Sequence, residues 1–349
     1  MSNYNYIQFT QPAGVFYMLS LPAKFVTKIM VVNERDEDGS GMQRGDSKPR
    51  IDEIKSYCND PDATFPTPVI MAIDSENLTF NKDNTVTIAD EAGIADVLDG
   101  QHRLKGLRAS NNIDAFELPV VFVKDATEEQ KAYIFSIINS KQTRVSPSLI
   151  YDLFAVMKKR SPQKTCHEIA RSLNKMESSP FFGRLKMLGK GGGENASLSQ
   201  GTFVKRLVTL ITKKPDDYLI KIKNDEELPI EDLPFNEYFR ENKDDVIFKV
   251  VLNLFSAVRH EFRDEWGNPS ESILSKGIGF GAIIRAFPAI FKKGKSKGDL
   301  SESYFREVFA NFKTVLSEEN ISLTSEHFGS NEANVTQLHK LIEKGLLRV

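Results

Sequence analysis

At 349 residues the chain has room for one large domain or two of ordinary size. Apolar residues at 40% and charged residues at 27% give the balance of a packed globule and exclude wholesale disorder. A net charge of −2 excludes a histone-like polycation, and two cysteines, Cys58 and Cys166, exclude a disulfide framework or a cysteine-built zinc site.

In chain order, the first basic residue is Lys24, so no positive stretch precedes an apolar segment as in a secretory leader. No apolar run approaches the ~18–20 residues of a membrane span. The chain is therefore expected to be soluble and cytoplasmic, with no membrane partner. Val15 to Leu21 is rich in strand-favouring residues, and a polar loop follows from Asn33 to Lys48. Pro49 opens a helical pattern with Ile51, Ile54, Tyr57 and Cys58 on one face. Thr67–Ile73, Val86–Ala89, Ile94–Leu98 and Leu118–Val123 read as strands. A helix is expected after Asp99-Gly100, with Leu104 and Leu107 facing inward. Thr127-Glu128-Glu129-Gln130 has the spacing of a capping box and predicts another through Ile138.

Beyond residue 147 helical patterns dominate. Ser146-Pro147 reads as an N-cap and first helical residue, followed by Leu149, Ile150, Leu153, Phe154 and Met157 at helical spacing. Further helices are predicted over 165–176, 201–212, 245–261, 271–287, 302–316 and 332–345. Phe182–Leu188 is a candidate strand, Gly189–Gly193 a loop, and Lys292, Lys293, Lys295 and Lys297 a basic loop.

The sharpest chemical feature is Asp99-Gly100-Gln101-His102-Arg103, placed where a strand turns into a helix. A helix start presents free N–H groups and a positive dipole end, which favour a phosphate. Gly100 permits a tight turn, Gln101 and His102 can donate hydrogen bonds, and Arg103 can grip phosphate oxygens in a fork. The plainer alternative is an Asp N-cap followed by a surface His and Arg.

These five residues reproduce the motif that names the DGQHR-domain family, which the chain resembles over about residues 15–160. Gln43-Arg44, Arg50-Ile51 and Ile54…Tyr57 look like a second family element. Asn139-Ser140-Lys141-Gln142, followed by Ser146-Pro147-Ser148-Leu149, looks like a third. The family's branches include DndB, from DNA phosphorothioation clusters, and DpdB, from clusters that insert 7-deazaguanine bases into DNA. Its domain is similar to the ParB/sulfiredoxin fold, where the equivalent turn reads Gly-Glu-Arg-Arg or Gly-Cys-His-Arg and holds nucleotide phosphates. The resemblance thus implies an α/β domain of ParB/sulfiredoxin type over 1–147 and a mostly α-helical domain over 148–349.

On the DpdB pattern, the resemblance implies an ATP-binding and ATP-hydrolysing accessory protein, with Mg²⁺ and a DNA transglycosylase partner. Phosphate would be held by Gly100, Gln101, His102 and Arg103, with Gln43, Arg44, Arg50, Lys141, Gln142 and Arg144 around it. Asn139 would help hold Mg²⁺, and Asp99 and His102 would stand nearest the chemistry. The acid that precedes the Asn in ParB is Ile138 here, which weakens a complete metal site. On the DndB pattern the chain is instead a DNA-binding regulator, and a ParB-like metal-dependent nickase is a third alternative. DNA is contacted directly, through lysine-rich segments such as 158–160, 213–214 and 292–297, or through a partner. The sequence leaves the oligomeric state open, a homodimer included. Gln101 stands where sulfiredoxin has its cysteine, so thiol chemistry has no nucleophile at the turn.

Overall fold

The computed structural model describes residues 2–12, 14–32, 48–141, 148, 159–187, 196–329 and 331–349. Most of the Asn33–Lys48 loop, the Ser146-Pro147 helix start and the Gly189–Gly193 loop lie outside them. The chain divides into two compact units, Met1–Arg144 and Val145–Val349.

The first unit is mixed α/β. Its strands are β1 (Asn3–Asn5), β2 (Ile7–Gln11), β3 (Gly14–Pro22), β4 (Met30–Val31), β5 (Val69–Ile73), β6 (Leu78–Phe80), β7 (Thr85–Ile88), β8 (Ala95–Asp99) and β9 (Glu117–Lys124). Its helices are α1 (Ala23–Ile29), α2 (Lys48–Tyr57), α3 (Gln101–Arg108) and α4 (Glu128–Lys141). A six-stranded sheet runs in the order β2-β3-β9-β5-β8-β4, with β5–β9 and β4–β8 parallel and the rest antiparallel. A separate antiparallel sheet has the order β1-β7-β6.

Alternation along β9 shows how the sheet builds a core on each face. Leu118, Val120 and Phe122 join Leu104 and Leu107 of α3 and Val26 and Ile29 of α1 in one cluster. Val121 and Val123 point the other way, to Phe16, Leu98 and Ile134 of α4. The capping box at the head of α4 forms reciprocally. Thr127 N donates to Gln130 Oε1 at 2.9 Å, and Gln130 N donates to Thr127 Oγ1 at 3.2 Å. Lys131, one turn on, meets Asp96 of β8 at 2.6 Å.

The second unit is helical: α5 (Pro162–Lys175), α6 (Gln200–Val208), α7 (Pro215–Lys223), α8 (Asn236–Arg240), α9 (Asp244–Glu261), α10 (Arg263–Gly267), α11 (Gly277–Lys297), α12 (Glu302–Glu318) and α13 (Glu332–Leu346). A short parallel pair, β10 (Leu185–Lys186) with β11 (Leu198–Ser199), replaces the longer strand expected from Phe182. One apolar cluster runs through the unit and includes Phe181, Phe203, Phe255, Trp266, Phe287, Phe305 and Phe312.

The helix expected over 271–287 instead runs from Gly277 to Lys297. Its start is delayed because Ile273 N donates to Leu323 O (2.8 Å) and Ser272 bridges Thr324, which holds that stretch extended. Pro288 does not end it. Phe287, Ile290 and Phe291 are buried on both sides of the proline, and that packing outweighs the roughly 3 kcal/mol a mid-helix proline costs. Lys292–Lys297 is therefore the last turns of a helix and not a loop.

Candidate functional site: the turn between β8 and α3

β8 ends at Asp99 and α3 begins at Gln101, so the five-residue motif occupies one strand-to-helix turn. Its geometry rests on Gly100, which takes φ 99°, ψ 9° in the left-handed region. A Cβ there would also sit 3.2 Å from Val69 Cγ2. A side chain would be strained by the backbone and crowded from beneath. Val69 arrives by long-range pairing, because β5 lies beside β8 with a bulge between Ile70 and Met71, opposite Asp99. Bulges of this kind re-aim a strand end next to a site.

Gly100, not Asp99, occupies the N-cap position, so the N-cap residue has no side chain with which to cap α3. The plainer expectation of an Asp N-cap is thus corrected: Asp99 ends the strand. The first N–H groups of a helix have no intrahelical partner, which makes such a helix start suited to an anion.

Gln101 Oε1 is buried and has no hydrogen-bond partner among the described residues. An orphaned buried oxygen costs about 1–3 kcal/mol, so this seat is destabilised until something fills it. Half a turn of the amide exchanges Oε1 for Nε2, so the same seat can meet a donor or an acceptor. His102 is partly exposed on the first turn of α3. Arg103 departs from the expected phosphate fork. Its Nη1 donates to the carbonyl of Thr67, which ties the segment before β5 to α3. Burial lowers the Arg103 guanidinium from its ordinary value, and the Asp99 charge opposes that shift.

The remaining sequence candidates separate into three groups. Arg50 lies exposed in the first turn of α2. That helix crosses α3 closely, because a Cβ on Gly106 would stand 2.5 Å from Ile54 Cγ2. Asn139 and Lys141 fall in the last turn of α4. Gln43, Arg44, Gln142 and Arg144 lie outside the described residues. The structure therefore gathers Asp99, Gly100, Gln101, His102 and Arg103 at one turn. Thr67 and Val69, which support that turn, carry no signal in the sequence, because only strand pairing brings them there.

The lysine-rich segments of the second unit are largely occupied internally. Lys293 and Lys297 donate to the carbonyls of Leu346 and Val349, at 2.9 and 3.1 Å. Lys295 pairs with Glu237. Arg160 holds Asp244 and lies 3.7 Å over the Phe239 ring. Among the described residues no three His, Cys, Asp or Glu converge as metal ligands. Both thiols are buried, Cys58 raised by burial and Cys166 raised further by burial and the Asp244 charge, so neither is poised as a nucleophile. No helix among the described residues is long and apolar enough to cross a membrane.

The sequence profile of the DndB family, described as DNA-sulfur modification-associated, matches residues 4–297. No curated protein matches the chain. Among solved structures, it is similar to the C-terminally truncated chromosome-partitioning protein ParB from Caulobacter crescentus complexed with CTP-gamma-S. That likeness has 10% identity and a TM-score of 0.29, over 58% of this chain and 84% of that one. So loose a superposition carries no argument about fold or ligand. The profile spans the first unit almost whole and most of the second, and on that match the chain belongs to the DndB family of proteins associated with DNA-sulfur modification.

Proposed function

We propose that the first unit is a nucleotide-binding module of ParB/sulfiredoxin type, which takes ATP with Mg²⁺ at the β8–α3 turn and hydrolyses it in the service of DNA modification. The observation that carries this reading is the turn itself. A helix start opened by a left-handed Gly100 adjoins a buried Gln101 oxygen that has no partner among the described residues. Gln101, His102 and the first N–H groups of α3 bind the phosphates in this reading, and Arg103 positions the turn through Thr67.

Mg²⁺ needs one or two protein oxygens when phosphates supply the rest, and Asp99 and Gln101 offer oxygens at the turn. Asn139 is the third donor in this reading. Its helix meets β8 at Asp96 through Lys131, and Ile134 then packs in the cluster that holds Leu98. Hydrolysis is then mostly positioning and charge stabilisation, with Asp99 the candidate to orient water.

Calorimetry with ATP–Mg²⁺ and phosphate release by wild type and His102→Ala test the reading. Mg²⁺-dependent turnover that is lost in the variant is expected, and absence of ATP binding overturns it. The family description favours phosphorothioation as the modification served. The 7-deazaguanine form would add a transglycosylase partner, and mass spectrometry of the host's DNA nucleosides separates the two. The same description supports a second reading, a DNA-binding regulator without turnover, which salt-dependent gel shifts on the cluster's own promoter would favour.

A further inference from the structure

The stretch 171–187 concentrates positive charge on a chain of net charge −2. Arg171, Lys175, Arg184 and Lys186 stand there against one acid, Glu177. Its course is held by side-chain and backbone anchors. Gly183, at φ 65°, donates its N–H to Asn174 O (3.0 Å), and Leu185 N donates to Asn174 Oδ1 (2.9 Å). From beneath, Trp266 Nε1 donates to Pro180 O at 3.0 Å. The two neighbouring phenylalanines then part. Phe181 is buried among Phe203, Phe255 and Trp266, whereas Phe182 is 50% exposed.

Two guanidiniums are anchored at the same turn. Arg184, two residues on, donates Nη1 to Trp266 O at 2.9 Å. Arg259, from α9, donates Nη2 to Ser178 O at 3.0 Å, at the other end of the same turn. Among the described residues neither forms an ion pair, Glu177 and Glu265 included. They are close enough to interact: burial, and then the Arg259 charge, lowers the Arg184 guanidinium from its ordinary value. Each spends an N–H on a carbonyl and keeps the rest of its planar fork for another acceptor. Carbonyl anchoring accounts for each arginine singly. It does not account for two like charges without an ion-pair partner on a turn that also exposes an aromatic ring.

We infer that Phe182, Arg184 and Arg259 form a binding site for a single strand of nucleic acid, with phosphates on the guanidiniums and a base stacked on the ring. Lys175 and Lys186, both exposed, extend the basic track. A single strand fits better than a duplex because a stacking platform needs an unstacked base, and duplex bases are already stacked. The site is independent of the nucleotide turn.

Fluorescence anisotropy of the full chain with a labelled oligodeoxythymidine, and with a duplex of equal length, over a salt series is the test. The single strand is expected to bind more tightly. Phe182→Ala should weaken it roughly 5- to 150-fold, the range for one stacked base, and Phe182→Trp should keep it. The pair Arg184→Gln and Arg259→Gln should flatten the slope of log K against log salt by about 1.4, two phosphates' worth. Because Phe182 is exposed, its variants should melt like wild type, so unchanged affinity in Phe182→Ala overturns the inference. Duplex binding as tight as single-strand binding also overturns it. His102→Ala should leave all of these values unchanged, which separates this test from that of the nucleotide turn.

Discussion

At the scale of single residues, the β8–α3 turn trades stability for an open seat. Gln101→Leu removes the orphaned buried oxygen and should leave the ligand-free protein at least as stable as wild type. The same change should abolish any rise in melting temperature on adding ATP–Mg²⁺, as thermal denaturation with and without nucleotide would show. Gly100→Ala meets two penalties, a left-handed backbone worth about 1–2 kcal/mol and a close contact with Val69. It should lower stability and nucleotide affinity together. Arg103→Ala leaves the exposed Thr67 carbonyl without its donor and should cost about 0.5–1.5 kcal/mol in urea unfolding, which marks Arg103 as a positioning residue.

Among elements, the contact that most constrains the first unit is α2 against α3. Gly106→Ala would drive a methyl to 2.5 Å from Ile54 Cγ2, and overpacking of this kind costs about 1–3 kcal/mol. Adding Ile54→Ala should recover part of the loss, so a double-mutant cycle by urea denaturation should show coupling between the two sites. What the sequence made legible at this scale follows local signals. The capping box, the strand ending at Asp99 and the helix after Gly100 are written in a few adjacent residues. β1 and β2 have no such signal, because they are short and bury almost nothing. α8 and α10, at five residues each, are too short to establish a period. Pro288 misled for a physical reason: a proline reads as a stop, yet buried neighbours on both sides carry the helix through it. The candidate site was legible as a motif. Its support from Thr67 and Val69 was not, because that depends on which strand pairs with β8.

For the whole molecule, the helical unit carries an alkaline limit. Tyr304 donates its hydroxyl to Ile290 O at 2.9 Å, and burial, then the Glu307 and Asp299 charges, pushes its phenol up to about 12. The folded value lies above the ordinary one near 10. This contribution is therefore complete below about pH 10 and is lost as pH rises through about 12. Denaturant titrations of wild type and Tyr304→Phe across that window should converge as the wild type loses its advantage. The family match stops at residue 297, where α11 ends, yet the polypeptide does not finish its core there. α12 packs on α9, and α13 packs on α11 and α12. These two terminal helices bring Phe305, Phe309, Phe312, Leu338 and Ile342 into the shared interior. Glu332, at the head of α13, also clasps Arg206 of α6 and Arg285 of α11. A protein trimmed where the family match ends would leave the greasy flanks of α9 and α11 bare and two arginines without their shared carboxylate. It should therefore be recovered as aggregate, so the last fifty residues are a lid that the family boundary does not announce.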